Sequence, residues 1–245
     1  MNVLITGGGC SEKIDNVRSI TNFSSGKTAL SIAKTIQDLD PAAAVDFLLA
    51  ESAVQPKAAA KNGGENKNGA AQEGADAPKI TVQNFRSCAD LEALLRESLA
   101  AKSYDLIFHA AAVSDYSVQS VVADGKEFAP GKVSKFSGAD SLLVKLKKNP
   151  KLLESIPAWA KKKSAAAKIV GFKLTSDASQ EERAAAVQKL FAVKNPPDFV
   201  ISNDLSEITP KSHPCVLWRN FGGLGTIVAR GQVQDIVRKI YAPDS

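Results

Sequence analysis

Long apolar runs are missing from this sequence. None approaches the roughly 18 residues that a transmembrane helix needs, so no helical membrane span is expected. Cysteine is scarce: Cys10, Cys88 and Cys215 are the only three in 245 residues. They are odd in number and far apart, which argues against a disulfide framework and suits a reducing compartment. The first residues lack a basic stretch followed by an apolar core, so a cleaved leader is not expected and the protein is read as cytoplasmic. His109 and His213, the two histidines, have no metal-ligand spacing to the cysteines and are read as core or loop residues; metal ligands stay unassigned. Aromatic side chains make up 6% and seldom accompany the lysines, so stacking platforms are lacking and no nucleic-acid partner is expected. Self-similarity at a period of about 20–50 residues is absent, which excludes a solenoid.

What is present is an ordinary core, with 44% hydrophobic residues, and a net charge of +5. The excess of positive charge gathers at Lys126, Lys132 and Lys135, from Lys145 to Lys151, and from Lys161 to Lys168. Such lysines form either a solvated face or a site for a polyanionic small molecule.

The apolar periodicity predicts alternating strands and helices. A strand over Asn2–Thr6 runs into three glycines, then a polar loop carrying Arg18 and Asn22, then Ser24-Ser25-Gly26 and a helix over Lys27–Leu39. Val45–Ala50 is a second strand, completing a β-α-β unit with parallel strands. Residues 55–78 contain no aromatic or β-branched residue and read as a mobile low-complexity insertion. Ser87 caps a helix whose buried face is Leu91, Leu94, Leu95 and Leu99. Tyr104–Phe108 is a buried strand ending in His109-Ala110-Ala111-Ala112-Val113-Ser114-Asp115. Residues 117–137 have weak periodicity and read as a flap. A strand over 141–146 follows, and Pro150 is placed at the first position of a short helix. Lys168–Leu174 is a strand, Ser179–Glu182 is a capping box opening a helix that carries Lys189 and Lys194, and Asp198–Ser202 is a strand ending at Asn203-Asp204. Cys215–Trp218 and Thr226–Ala229 form an edge hairpin turning at 219–223, and a helix from Gln232 to Tyr241 closes the chain. The expected fold is a single-domain three-layer α/β/α Rossmann-like arrangement with a mostly parallel sheet, a flap and a terminal β-hairpin.

The opening strand, Gly-rich turn and helix N-terminus are a common phosphate holder, because first-turn N–H groups are unpaired and the helix dipole favours negative charge. The glycines let the chain turn and a ligand approach. GGGCSEK is not GxGxxG, and no Tyr-x-x-x-Lys pair is present, which weakens the alternative of an NAD(P)-dependent oxidoreductase with Glu51 as its ribose-binding acid. Gly26-Lys27-Thr28 lacks the earlier glycine of a P-loop. Cys10 is read as a small loop residue rather than a nucleophile. Asp115, at a strand end, is suited to a ligand hydroxyl or amino group, or to Mg²⁺.

In order along the chain, ITGGGCSEKIDNVRSITNFSSGK, HAAAVSDY, the lysine flap followed by KKNPKLL, IVGFKL and DFVISNDL resemble the phosphopantothenate–cysteine ligase family. The resemblance covers nearly the whole chain except the insertion, and has no fused flavin domain, which implies a stand-alone ligase. It implies an enzyme joining 4'-phosphopantothenate to L-cysteine through an acyl-nucleotide, with CTP or ATP as co-substrate, Mg²⁺, release of pyrophosphate, and a homodimer whose partner surface is the terminal hairpin. By the same resemblance, Asn22 holds the pantothenate carboxylate and acyl carbonyl, Arg18 assists amide formation, and Ser24, Ser25 and Gly26 bind the substrate phosphate. Ala111 and Ala112 contact substrate, and Asp115 contacts the nucleotide. Pro150, Lys151, Leu152, Leu153 and Phe172 contact the base, Lys189 and Lys194 the triphosphate, and Asn203 closes the site. The flap lysine that acts in activation is Lys132 or, in the other register, Lys135.

Overall fold

Val3, Leu4 and Ile5 are wholly buried, so the strand they form, β1 (Asn2–Gly7), is apolar on both faces. Such a strand belongs inside a parallel sheet covered by helices. A computed structural model, which describes residues 1–56 and 80–242, has β1 in that position. The insertion expected over 55–78 lies, from residue 57 onward, outside the described residues.

After β1 come a small ribbon, β2 (Ser11–Lys13) and β3 (Ser19–Thr21), then α1 (Lys27–Leu39), β4 (Ala44–Ala50), β5 (Ile80–Phe85), α2 (Cys88–Ala101) and β6 (Leu106–His109). The flap follows as β7 (Tyr116–Ala123), β8 (Lys126–Phe128) and β9 (Leu142–Lys148). The chain continues through α3 (Leu152–Ala160), β10 (Lys168–Thr175), α4 (Gln180–Phe191), β11 (Phe199–Asp204), β12 (Pro214–Phe221), β13 (Leu224–Gln232) and α5 (Val233–Tyr241). The main sheet has the order β13-β12-β11-β10-β6-β1-β4-β5. Strands β10, β6, β1, β4, β5 and β11 run parallel, while β12 and β13 are the antiparallel edge hairpin. From β1 the chain steps outward to β4; from β6 it steps the other way to β10 and β11. The reversal makes the gap beyond β1 and β6 a topological switch point, the usual ligand crevice of open α/β sheets. With right-handed crossovers it also puts α1 and the helices α2 to α4 on opposite faces. No helix among the described residues is long and apolar enough to cross a membrane.

Local chemistry explains most element boundaries. Ala29, Ile32, Ala33 and Ile36 give α1 one buried stripe, which packs on α5 through a similar stripe of Val233, Ile236, Val237 and Ile240. Ser87 Oγ accepts the Asp90 N–H at 3.2 Å while Asp90 accepts the Ser87 N–H at 2.8 Å, a reciprocal cap on α2. Ser179 and Glu182 do the same for α4 at 3.2 and 2.8 Å.

Five expectations are corrected. The flap is not an irregular lid: β8-β7-β9 is a three-stranded antiparallel sheet with its own core of Val118, Val121, Ala123 and Phe136. Asp124 and Gly125, with φ of 46° and 81°, make the two-residue turn between β7 and β8. The polar loop after the glycines contains the β2–β3 ribbon, tied to the body where buried Glu12 accepts the Cys88 N–H at 2.8 Å. Pro150 precedes α3 instead of starting it; Lys151 is the N-cap, because the Asn149 N–H is held by the Asp115 carbonyl at 2.8 Å. Lys194 falls beyond the end of α4. The edge hairpin is also longer than expected, its strands running to a Gly222-Gly223 turn with φ of 63° and 92°.

Asp204 closes β11 with an acceptor cluster. Its buried carboxylate takes hydrogen bonds from the hydroxyls of Ser206 and Thr175 at 2.6 Å each and from the backbone of Asp177, Ala178 and Ser206. These bonds, that from the Ser206 hydroxyl first, hold its pKa well below the ordinary carboxylate range. A depressed folded pKa stabilises fully above the unfolded value and ceases to as pH falls through the folded one. Asp204→Asn is therefore expected to lower the urea midpoint at pH 7, with the gap from the parent narrowing as unfolding is repeated below about pH 4. Ser87→Ala should cost about 1 kcal/mol in the same assay, through loss of the cap.

Candidate active site at the strand ends

The glycines that open the site are spent on packing. A Cβ on Gly7 would lie 2.5 Å from the Ala29 Cβ, and one on Gly8, whose φ is +85°, would lie 2.6 Å from the Ala50 Cβ. At Gly9 it would meet the Asn22 carbonyl oxygen at 1.7 Å. The triple glycine thus draws α1, the end of β4 and Asn22 against β1, and it is Asn22 rather than a ligand that approaches Gly9. Gly26, at φ +73°, starts α1 without a side-chain cap, and no acidic residue sits in the first turn. The Thr28 and Ala29 N–H groups have no partner among the described residues, as an anion site requires. Ser24 is half-buried and Ser25 exposed beside this terminus.

Asn22 joins two distant segments. Its N–H donates to the Cys10 carbonyl at 2.9 Å, and its Oδ1 accepts the Ser114 hydroxyl at 3.0 Å. Cys10 N–H in turn donates to Ala112 O at 3.1 Å and Ala112 N–H to Gly8 O at 2.8 Å, a parallel bridge that extends β1 and β6 past their ends. Asn149 Nδ2 donates to Ser114 O at 2.9 Å, and Lys151 Nζ pairs with Asp115 at 2.5 Å. The first loop, the end of β6 and the approach to α3 are therefore one hydrogen-bonded unit.

Arg18 stands on the other side of the ribbon. Its Nη2 donates to Phe136 O at 3.0 Å, and the buried Asp15 carboxylate accepts the N–H groups of Val17, Arg18 and Phe136. Burial alone would push the Asp15 pKa up; those three N–H groups and the Arg18 charge outweigh it and hold the pKa below the usual range. The returning flap segment thus rests on the ribbon. Lys132 and Lys135 are exposed on it and, among the described residues, have no side-chain partner.

A cavity of about 480 Å³ lies beyond β6 and β10, walled by α3 and α4. Ala111, Asp115, Pro150, Lys151, Leu152, Leu153, Phe172 and Lys189 line it. Gly171 lets α3 close on β10, since a Cβ there would lie 2.7 Å from Leu153 Cδ2. Other expected members are elsewhere. Lys194 does not line the cavity. Asn203 bonds to His213 Nε2 at 2.7 Å and borders a separate cavity of about 520 Å³ beneath β12 and β13, with α4 between the two. Ala112 is taken up by the strand-end bridge.

The remaining reactive groups are quiet. Cys10 is wholly buried, and burial pushes its thiol up to about 12. Glu51 pairs with Arg86 at 3.1 Å, which occupies the acid that a dinucleotide reading needs. Ser114, Asn149, Asp15 and Thr6 were not singled out in the sequence. Ser114 adjoins Asp115 and Asn149 adjoins Pro150, but their partners lie far away along the chain.

A family model described as the DNA/pantothenate metabolism flavoprotein C-terminal domain matches residues 1–213. Over 205 residues the chain is 28% identical to the coenzyme A biosynthesis bifunctional protein CoaBC of Methanocaldococcus jannaschii, covering 84% of this chain and 41% of that protein. The protein of the same name from Thermococcus kodakarensis is 29% identical over 216 residues, 88% of this chain and 44% of that one. The chain thus spans about two fifths of the length of the curated relatives it matches. Among solved structures, the DNA/pantothenate metabolism flavoprotein from Streptococcus pneumoniae superposes with a TM-score of 0.74 at 23% identity, covering 99% of this chain and 97% of that one. A Cab2 mutant in complex with phosphopantothenate-cysteine gives 0.65 at 17% identity, covering 99% and 85%. At these identities the structural likeness is one of fold.

Because the Gly9 position is filled by the Asn22 carbonyl, Gly9→Ala is expected to push the 20–24 segment away from β1. Hydrogen exchange should show a faster Asn22 amide while the β1, β4 and β6 amides keep their protection.

Proposed function

The chain belongs to the DNA/pantothenate metabolism flavoprotein C-terminal domain family, and on that footing we propose that it is a phosphopantothenate–cysteine ligase of coenzyme A biosynthesis. The observation that carries the reading is the hydrogen-bonded unit of Asn22, Ser114, Asn149 and the Asp115–Lys151 pair. It links the uncapped α1 terminus, suited to a phosphate, to the cavity, suited to a nucleotide.

In the proposed first step a carboxylate oxygen of 4'-phosphopantothenate attacks the α-phosphorus of CTP or ATP, the bond to the bridging oxygen breaks, and pyrophosphate leaves. In the second the cysteine amine attacks the acyl carbon, loses a proton and forms the amide, and the nucleoside monophosphate leaves. Both partners of the first step are anions, so the cationic side chains must offset repulsion. Lys151 and Lys189 at the cavity, and Lys132 or Lys135 on the flap, are the groups for this. The Thr28 and Ala29 N–H groups, with Ser24, Ser25 and Gly26, would take the phosphate of the pantothenate substrate. Ser114 occupies Asn22 Oδ1 and one Nδ2–H faces the Val113 carbonyl at 3.5 Å, so the other Nδ2–H is the donor for the carboxylate and then the acyl carbonyl. Arg18, half-buried under the flap return, would steady the same loop in amide formation. Among the described residues no group of three or more His, Cys, Asp or Glu side chains is gathered for an ion. Mg²⁺ therefore fits as a companion of the nucleotide substrate rather than a protein-held centre, and no step is assigned to it. Leu152, Leu153 and Phe172 make an apolar seat for the base, and a second copy of the chain is the expected partner.

Protein, 4'-phosphopantothenate, Mg²⁺ and either CTP or ATP should release pyrophosphate, with the amide product appearing only when cysteine is added. Silence with both nucleotides would remove the reading. Asn22→Ala should slow amide formation by about 10²–10³-fold with acyl-nucleotide still formed. Lys132→Ala should instead impair formation of the acyl-nucleotide; if it does not, Lys135→Ala identifies the other register.

A further inference from the structure

His109 borders the cavity but has no role in the reading above. It ends β6, beside Thr6 of β1 and Gly171 of β10 in the sheet register, and is only 6% exposed. Thr6 Oγ1 lies 3.0 Å from His109 Nδ1, and the same oxygen accepts the Ala111 N–H at 3.1 Å. Thr6 is wholly buried. Its hydroxyl has one proton to place, and among the described residues Nδ1 is the only acceptor it meets. A buried hydroxyl is not left without an acceptor when one is within reach. Nδ1 therefore accepts, and the single proton of the neutral ring sits on Nε2. Burial pushes the ring pKa down to about 4, so the ring stays uncharged near neutral pH. Nε2 has no partner among the described residues. A polar side chain more than nine-tenths buried thus keeps one unused donor at the wall of a ligand-sized cavity.

We infer that His109 donates its Nε2–H to an acceptor on the nucleoside part of the bound nucleotide, a base edge or a ribose oxygen. The proposal rests on the ligase reading for the identity of the ligand. The surroundings favour the nucleoside over the phosphates. Val113, Leu152, Leu153 and Phe172 line the same cavity as apolar walls, whereas Lys151 and Lys189 are exposed cations. A neutral donor in an apolar wall suits an uncharged acceptor, and a ligand without that acceptor would strand the donor. Thr6 is the positioning residue, since its hydroxyl fixes which nitrogen holds the proton.

Long-range ¹H–¹⁵N correlation on the full chain with ¹⁵N-labelled histidine tests this, the His213→Gln variant assigning the two rings. His109 is expected as the Nε2–H tautomer, and Thr6→Val should turn it into a tautomer mixture. Cytidine or adenosine, and the matching triphosphate, should move the Nε2 resonance, while inorganic triphosphate should not. His109→Leu should weaken nucleoside and nucleotide binding alike, by about tenfold, and leave inorganic triphosphate affinity unchanged. An Nδ1–H tautomer, or an Nε2 resonance that ignores nucleosides or follows inorganic triphosphate, overturns the proposal; the wild-type spectra decide it even if His109→Leu fails to fold. The ligase reading fails separately: no pyrophosphate with a responsive Nε2 removes the ligase alone, and pyrophosphate with a silent Nε2 removes only the His109 role.

Discussion

The contact between Gly9 and the Asn22 carbonyl is the constraint on which the site depends. No side chain fits between them, so the loop that carries Asn22 lies directly on the end of β1. From there its amide reaches Ser114 at the end of β6, across the point where the sheet reverses its order of connection. Asn149 continues the chain of bonds to the start of α3. Had residue 9 any side chain, the two halves of the crevice would be separate surfaces. The glycine-rich turn is thus an architectural joint first, and the unpaired N–H groups lie beside it at the α1 terminus.

Charge follows the same division. Carboxylates that fix the architecture are buried and saturated with donors: Asp15 under the flap return, Asp204 at the end of β11. The lysines around the crevice are exposed and largely without partners, Lys151 excepted. Buried charges pinned by many donors resist rearrangement, whereas exposed cations keep their long stems free to follow an anionic ligand.

Much of the fold was legible in the sequence. The stripe of α1 and the caps at Ser87 and Ser179 follow from residues a few positions apart, the buried strand before His109 and the edge hairpin carry their signal in a short apolar run and a turn, and all are present. The failures have other causes. The ribbon of β2 and β3 is short and mostly exposed, and exists because Glu12 and Asp15 find partners far along the chain. In the flap, the Asp124-Gly125 turn was a readable hairpin signal, masked by the Gly- and Pro-containing return that follows it. Pro150 had the chemistry of a first helical residue, but the Asp115 carbonyl holds its neighbour outside the helix. For the site, residues near a strand end on β6 and β10 gathered as expected. Asn203 did not, because β11 ends on the far side of α4. The Asn22–Ser114 bond spans 92 positions and leaves no local trace.

The three buried cysteines have a chemical consequence. Burial pushes their thiols up to about 12, 11 and 12 at Cys10, Cys88 and Cys215, so near neutral pH the protein carries almost no thiolate of its own. An activated acyl group is readily captured by thiolates, and Cys10 lies in the very loop that carries Asn22. Under the proposed reaction, a thiol that is sealed and protonated would leave the acyl group to the amine of the incoming amino acid.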